Sequence, residues 1–387
     1  MLETTIQRLL EPSSGQVEIL RLHVRSAFAT KLIEGVITPA VIEGAICDVD
    51  GFHVRRHWLH GPHLQLGWVG PKNETPPKVD ELCTKLQSAL GGMLRAASDE
   101  YPTREIWQQI STRLGEAELV NGPYLPLHPE GSLIRRRDPR LRADHIGSAE
   151  VQRFRARALS VLGAALAPIR PSVDSGDATR LEHCLGVLIV MASSYATDGL
   201  ENGYLSLVSH AHDFLHDHDR GERLQASAEP MIQRLSEHVD DLVRSLLGGV
   251  LDPPFAPAEW IAFAQSCRAV TEAGIELAER GEIHPYLPPA YIDRARDLGE
   301  GSERKWRAGS DRTYSTFHGT LRQLDFTDQT EGSRFAAYRH LTAFGYELLS
   351  LSGISPRERV ICSLAVGRAV ERITGTDWRE IFAKGTA

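Results

Sequence analysis

The chain has 387 residues, 42% of them hydrophobic, and a formal net charge of −8 at pH 7. That length supports two or three subdomains, and the acidic balance argues against a general nucleic-acid binder while leaving room for a local basic patch. Cys47, Cys83, Cys184, Cys267 and Cys362 stand far apart with no CxxC pair, so neither a zinc knuckle nor a disulfide framework is signalled, and the odd count suits a reducing cytosol. No apolar signal core opens the sequence and no apolar run is long enough to span a bilayer, which points to a cytoplasmic protein without a membrane partner.

VEILRLHVR at 17–25 predicts a strand, and residues 28–46 mix helix and turn signals, with Pro39 opening a helical turn. FHVRRHWLHGPHLQLGW, 52–68, alternates with a period of two through Phe52, Val54, Leu64, Leu66 and Trp68, and Gly61-Pro62 predicts the turn between two strands. After the loop KNETPP, VDELCTKLQSALGGMLRAA at 79–97 predicts a helix, since Leu82, Leu86, Leu90 and Leu94 fall at four-residue steps. This order predicts a small antiparallel sheet with helices packed on it, an α+β head over residues 1–147. Within it, 98–147 reads as loops with one strand. Its densest basic run, SLIRRRDPRLRAD at 132–144, is open to three readings: a solvated loop, a docking site for an acidic peptide, or a nucleic-acid contact.

From 148 to 387 the pattern is mostly helical, and this part is expected to share a cleft with the head. Helices are predicted from SAEVQRFRARALSVLGAALAPI, TRLEHCLGVLIVMASSYA, SHAHDFLHDHD, EPMIQRLSEHVDDLVRSLLGG and PAEWIAFAQSCRAVTEAGIELAERG, with Gly248-Gly249 and Gly281 as stops. NGYLSLVSH at 202–210 reads as a semi-apolar strand or loop, and 282–308 as loop-rich. Two helices close the chain, over 329–351 and 355–373. Phe335, Tyr338, Leu341, Phe344 and Leu348 form the first one's apolar stripe, and Ser355 with Glu358 forms a capping box on the second.

Polar groups concentrate in three places. The hairpin carries His53, His57, His60 and His63 with Arg55 and Arg56, where Arg55 shares the face of His53 and His57 and Arg56 points away. His53 and His57 alone lack a third ligand for zinc, so a polar solvent face and a donor array for a peptide both stay open. HAHDFLHDHD at 210–219 sets His212 and His216 one helical turn apart without the glutamate of HExxH, and an exposed helix end explains it as well as a metal does. Tyr204, Ser206 and His210 can bind amides and move protons, and Arg339 with His340 can project from the 329–351 helix. No GxSxG, Walker or dinucleotide glycine motif is present, so nothing in the sequence signals ATP, NAD or flavin.

HWLHGPHLQLGW resembles the strand-turn-strand signature of the elimination domain of class I lantibiotic dehydratases, a domain that also stands alone in thiopeptide biosynthesis. NGYLSLVSHAHDFL and AYRHLTAFGYELLSLSGISPRERVICSLAVGRAVE resemble two further blocks of that domain, so the likeness runs from about 17 to 378. Those enzymes remove glutamate from glutamylated serine or threonine, and paired arginines suit a dicarboxylate leaving group. Here the usual His-Leu-Arg-Leu-Arg strand reads His63-Leu64-Gln65-Leu66-Gly67, and PYLPLHPEGSLIRRR at 123–137 replaces the Arg-Tyr-Gly-Gly block.

That departure resembles the thiopeptide pyridine synthases. The resemblance implies a formal [4+2] cycloaddition between two dehydroalanines of a leader-bearing, azole-containing peptide, with loss of water and leader and no metal or cofactor. It implies catalytic roles for His63, Gln65, Tyr204, Ser206, His210 and Arg339, gathered where the hairpin, the 202–210 block and the 337–346 helix converge. It also implies substrate contacts from Arg55, Arg56, Arg135, Arg137 and His340. The partner is a modified precursor peptide with an acidic leader, held by the 135–142 arginines; contact with other enzymes of the gene cluster is a further expectation. Gly67 is expected to open room for an azole-rich peptide. A stand-alone glutamate eliminase and a non-catalytic precursor-binding scaffold are the alternatives. An enzyme adding amino acids from aminoacyl-tRNA fits less well, because those resemble the larger glutamylation domain.

Overall fold

The computed structural model describes residues 2–96, 103–135, 148–172, 174–217, 221–247, 258–284, 289–306, 314–323 and 329–385. The elements begin with α1 (Leu2–Leu10), β1 (Gln16–His23), and α2 (Ser26–Leu32), which runs through a π turn into α3 (Thr38–Ile42). Next come β2 (His53–His57), β3 (His63–Gly70), α4 (Pro77–Ala96), α5 (Arg104–Glu118), β4 (Leu133–Ile134) and α6 (Ala149–Leu166). Then follow α7 (Asp177–Ser193), α8 (Leu200–Asp217), α9 (Gly221–Leu247), α10 (Ala258–Glu279), α11 (Pro289–Asp297) and α12 (Glu300–Trp306). The chain finishes with α13 (Thr316–Leu321), α14 (Gln329–Leu351), α15 (Pro356–Thr374) and α16 (Trp378–Gly385). No helix among the described residues is long and apolar enough to cross a membrane.

The chain divides into two compact units. One comprises Leu9–Pro168 and Tyr286–Arg312; the other comprises Met1–Arg8, Ile169–Pro285 and Thr313–Ala387. Helix α6, which the sequence pattern grouped with the helical remainder, lies in the first. The fold is α+β, with a four-stranded antiparallel sheet in the order β2-β3-β1-β4.

In the sheet unit, period-two alternation works as expected. Leu20, Leu22, Leu64, Leu66 and Val54 share one buried face by register, and each fully buried leucine there contributes roughly 1.5–3 kcal/mol. Arg56 lies on that same side and donates to the Ser26 carbonyl at 3.2 Å and to Thr30 Oγ1 at 2.6 Å, tying β2 to α2. Helix α6 is anchored by Arg157, only 4% exposed, whose guanidinium grips both carboxylate oxygens of Asp50 at 2.7–2.8 Å.

The helical unit is built on helix-helix packing of α7, α8, α9, α10, α14 and α15. The expected capping box is present: the Ser355 backbone N–H donates to Glu358 Oε2 at 2.7 Å, and the Glu358 N–H to Ser355 Oγ at 3.2 Å. Gly281 and Gly375 follow α10 and α15 in the left-handed region; Gly248-Gly249 lies outside the described residues, just past the end of α9.

Three expectations change. Helix α5 stands within 98–147, where loops were expected, and α11 and α12 within the loop-rich 282–308. The 202–210 block is helical, not extended: Tyr204, Leu207, Val208 and Ala211 are buried, the spacing of one helical face.

Candidate functional site

Each unit carries its own constellation. In the sheet, register places three rows on one face: His57, His63 and His23; then Arg55, Gln65 and Arg21; then His53, Gly67 and Ile19. A period of two puts all nine on the side opposite the leucines. His23, His63, Gln65 and Arg21 are 0%, 2%, 1% and 4% exposed. The His23 and His63 rings lie 4.8 Å apart, and His57 and His63 5.3 Å. His128 joins from the loop before β4, 4.7 Å from His23 and 5.5 Å from His60. That loop is clamped where Glu130 takes the Arg25 guanidinium and the Arg25 backbone N–H, and where the Gly131 N–H donates to the His23 carbonyl.

Burial sets the charge state of this layer. The His23 pKa is pulled down to about 2, first by burial and then by His63, His128 and Arg21. His57 falls to about 3, again by burial first and Arg55 second, and His63 lies well below its usual value for the same leading reason. These imidazoles are therefore neutral at pH 7. Hydrogen bonds assign the tautomer of His63: Nδ1 donates to the Gly61 carbonyl at 2.9 Å, so Nε2 accepts from the Gln65 amide at 3.3 Å. Gln65 Oε1 and both ring nitrogens of His23 are buried without a hydrogen-bond partner among the described residues. Buried polar atoms of this kind call for a ligand or water.

One expectation about β3 is corrected here. Gly67 opens no space for a peptide, because a Cβ at that position would fall on the His53 ring, which already fills the gap and donates from Nδ1 to the Gly51 carbonyl at 2.8 Å. The same face carries two guanidinium groups, since Arg21 and Arg55 flank Gln65 from the neighbouring strands. Arg56 points to the other face, as the alternation predicts, and burial lowers its pKa to about 10. Arg135, just past β4, donates to Asp80 Oδ1 at 2.7 Å and to Thr75 Oγ1 at 3.2 Å. Arg137 lies outside the described residues.

In the helical unit, α8 and α14 supply the polar groups. Ser206 and His210 sit one turn apart on α8. Ser206 Oγ is 3.4 Å from Thr342 Oγ1, and the His210 ring meets Tyr346 edge-on at 4.7 Å. Arg339, Thr342 and Tyr346 share one face of α14, at steps of three and four. Although His210 keeps an open edge to solvent, its pKa falls to about 4, first through the protein packed around it and then through the charge of Arg339. The Arg339 guanidinium lies over Phe335 at 5.9 Å, and His340 lies 5.9 Å from Phe344.

Tyr204 does not share the face of Ser206, because helical geometry turns it to the opposite side of α8, fully buried. Burial, with Glu371 and Asp377 nearby, raises its pKa. Helices α8 and α14 are tied through main chain: Tyr338 Oη donates to the Gly203 carbonyl at 2.8 Å. Gly203 also has no room for a Cβ, which would run into the Ala192 carbonyl of α7.

The structure thus joins His63 to Gln65 in one unit and sets Ser206, His210 and Arg339 on facing helix surfaces in the other. Residues that sequence reasoning passed over include Arg21, His23, His128, Thr342 and Tyr346. The alternation of VEILRLHVR puts the first two on one face of their strand, while their place beside Gln65 and His63 is set by register; His128 arrives by a loop with no periodic signal. No group of three or more His, Cys, Asp or Glu among the described residues could hold a metal ion.

No protein-family model matches the chain, and no curated protein does. Solved structures do. TbtD, the pyridine synthase from thiomuracin biosynthesis, matches 93% of this chain and 99% of its own at a TM-score of 0.57 and 18% identity. The chain has a pyridine-synthase-like fold. TsrL matches 96% of this chain and 99% of its own at a TM-score of 0.63 and 15% identity. At those identities the likeness is one of fold, and the chemistry has to be argued from the residues of this chain.

Proposed function

We propose that the protein acts in thiopeptide maturation and builds the pyridine core, by a formal [4+2] cycloaddition between two dehydroalanines of a leader-bearing, azole-containing precursor followed by loss of water and leader. The observation that carries this reading is the likeness to a pyridine synthase over 93% of the chain. The sequence adds Gln65 and Gly67 where eliminase relatives carry arginines. The demands on the protein are to hold two distant parts of one peptide together, to favour the imidic-acid form of one amide, and to protonate leaving groups. Neutral His63 and Gln65 suit amide binding, and Ser206, His210 and Arg339 suit proton handling. Arg55, Arg135, Arg137 and His340 are the proposed contacts for the rest of the peptide and its acidic leader. Arg56 and Arg135 are weaker contacts, because their guanidinium groups are already bonded, to α2 and to Asp80 respectively.

One observation favours a second reading. Arg21 and Arg55 flank Gln65 in register, so two guanidinium groups stand on the same face as in a glutamate eliminase, carried by different strands. Two incubations of the purified protein separate the readings, one with a glutamylated precursor and one with a dehydrated, azole-bearing precursor. The expected outcome is an unchanged first peptide and, from the second, a macrocycle plus free leader ending in a carboxamide. Loss of glutamate in the first with no cyclisation in the second reverses the assignment. Tight leader binding with no mass change in either identifies a scaffold.

A further inference from the structure

We propose that Ser209 and His318 form a proton-transfer pair acting on a backbone amide of the substrate peptide, with Ser315 holding the imidazole; this rests on the reaction proposed above. Ser209 Oγ lies 3.0 Å from His318 Nε2, and Ser315 Oγ lies 2.8 Å from His318 Nδ1. Neither motif block predicted this contact: Ser209 is on α8, and His318 is 109 residues further along, on α13. Ser315 already caps α13 by accepting from the His318 backbone N–H at 3.3 Å. Capping explains that bond. It does not require the imidazole to be gripped at both nitrogens.

The choice of partners matters. A carboxylate on Nδ1 would fix one tautomer and favour the imidazolium. A hydroxyl can donate or accept, so Ser315 and Ser209 support both neutral tautomers. With Nδ1–H donating to Ser315, Nε2 accepts the Ser209 hydroxyl and polarises its oxygen. With Nε2–H donating to Ser209, Ser315 donates to Nδ1. The ring can then take a proton from Ser209 and return it without leaving a polar atom unpaired.

Ser209 is also well placed. It follows Ser206 by three residues and adjoins His210, so all three lie on one side of α8. Ser209 and His318 are half-buried, not sealed in the core, and His210 beside them is open to solvent. The step balances. Ser209 Oγ takes the N–H proton of the peptide amide as its own hydroxyl proton passes to His318 Nε2, giving an amidate and an imidazolium. Return of that proton through Ser209 to the amide oxygen gives the imidic acid and restores both residues. Ser209 is the member that touches substrate, and His318 acts through it.

The test uses the full-length protein, the dehydrated azole-bearing precursor, and the variants Ser209→Ala, His318→Ala and His318→Gln. All three should lose about 100-fold in turnover with precursor affinity and unfolding midpoint unchanged. Added imidazole should restore part of the activity of His318→Ala and none of that of Ser209→Ala. Variants that keep the wild-type rate overturn the pair and leave the reaction standing. A loss that imidazole does not relieve, accompanied by a lower unfolding midpoint, makes His318 a structural residue and overturns the pair as well. Wild-type protein that leaves the precursor unchanged overturns the reaction and, with it, the role given to Ser209.

Discussion

The sheet and the helical unit present histidine in opposite ways. In the sheet, register stacks His57, His63 and His23 across three strands, nearly sealed from water and held neutral by burial. On α8, His210 keeps an open edge and answers to Arg339 and a tyrosine ring. The two constellations therefore suit different tasks. A sealed neutral array can only accept or donate hydrogen bonds in place. A half-open imidazole beside hydroxyl groups can exchange a proton with what approaches it.

Acid should act more strongly on the sheet than on the helical unit. The folded-state pKa values of His23 and His57 lie at about 2 and about 3, below the unfolded value of 6.5. The unfolded chain therefore binds more protons below pH 6.5, so the stability these rings confer is complete above 6.5 and falls as the pH drops toward 3. At pH 5.5 each ring costs about 1.4 kcal/mol. Urea unfolding at pH 7.5 and 5.5 measures this, and His23→Leu and His57→Leu should each flatten the difference by about one ring's share. An unchanged difference in both variants means that these rings are not sealed.

A narrower probe asks whether His53 truly occupies the space above Gly67. Gly67→Ala should destabilise by about 1–3 kcal/mol through overpacking, and most of that penalty should vanish in a His53→Ala background. A double-mutant cycle by chemical denaturation reads the coupling. Simple additivity would place His53 elsewhere. The smallest effect belongs to the helical unit, where Ser355→Ala removes a half-buried capping box at a helix start and should cost about 1 kcal/mol. Between pH 7.5 and 5.5 it should leave the slope of stability against pH untouched, because the Glu358 carboxyl that Ser355 helps to hold ionised titrates below that window.

How much could be read from the chain follows from the same contrast. The hairpin, the leucines of α4, and the Ser355–Glu358 cap were legible because each is a short-range pattern with one physical solution. Helix α5 was not, because its pattern is inverted. Trp107, Ser111 and Gly115 form the buried side, while Ile106 and Ile110 face solvent at 53% and 38% exposure. In α8 the helical period was present at Tyr204, Leu207, Val208 and Ala211, but the apolar and hydroxyl residues between them imitate a strand. The candidate site was legible residue by residue and not as contacts. Gln65 was visible, whereas its neighbours Arg21 and Arg55 depend on strand register, and Ser209 meeting His318 depends on tertiary packing. Spacing along one chain segment cannot supply either.

The bond from Tyr338 to the Gly203 carbonyl has a consequence for how such a protein can diversify. It fastens α14 to the main chain of α8, and any residue at 203 would offer the same carbonyl, although only glycine fits against α7. The two helices are therefore keyed through main chain as well as through the side-chain contacts of Ser206 with Thr342 and His210 with Tyr346. A scaffold fastened in this way can acquire new peptide preferences by exchanging a few surface groups, with its architecture carried forward intact.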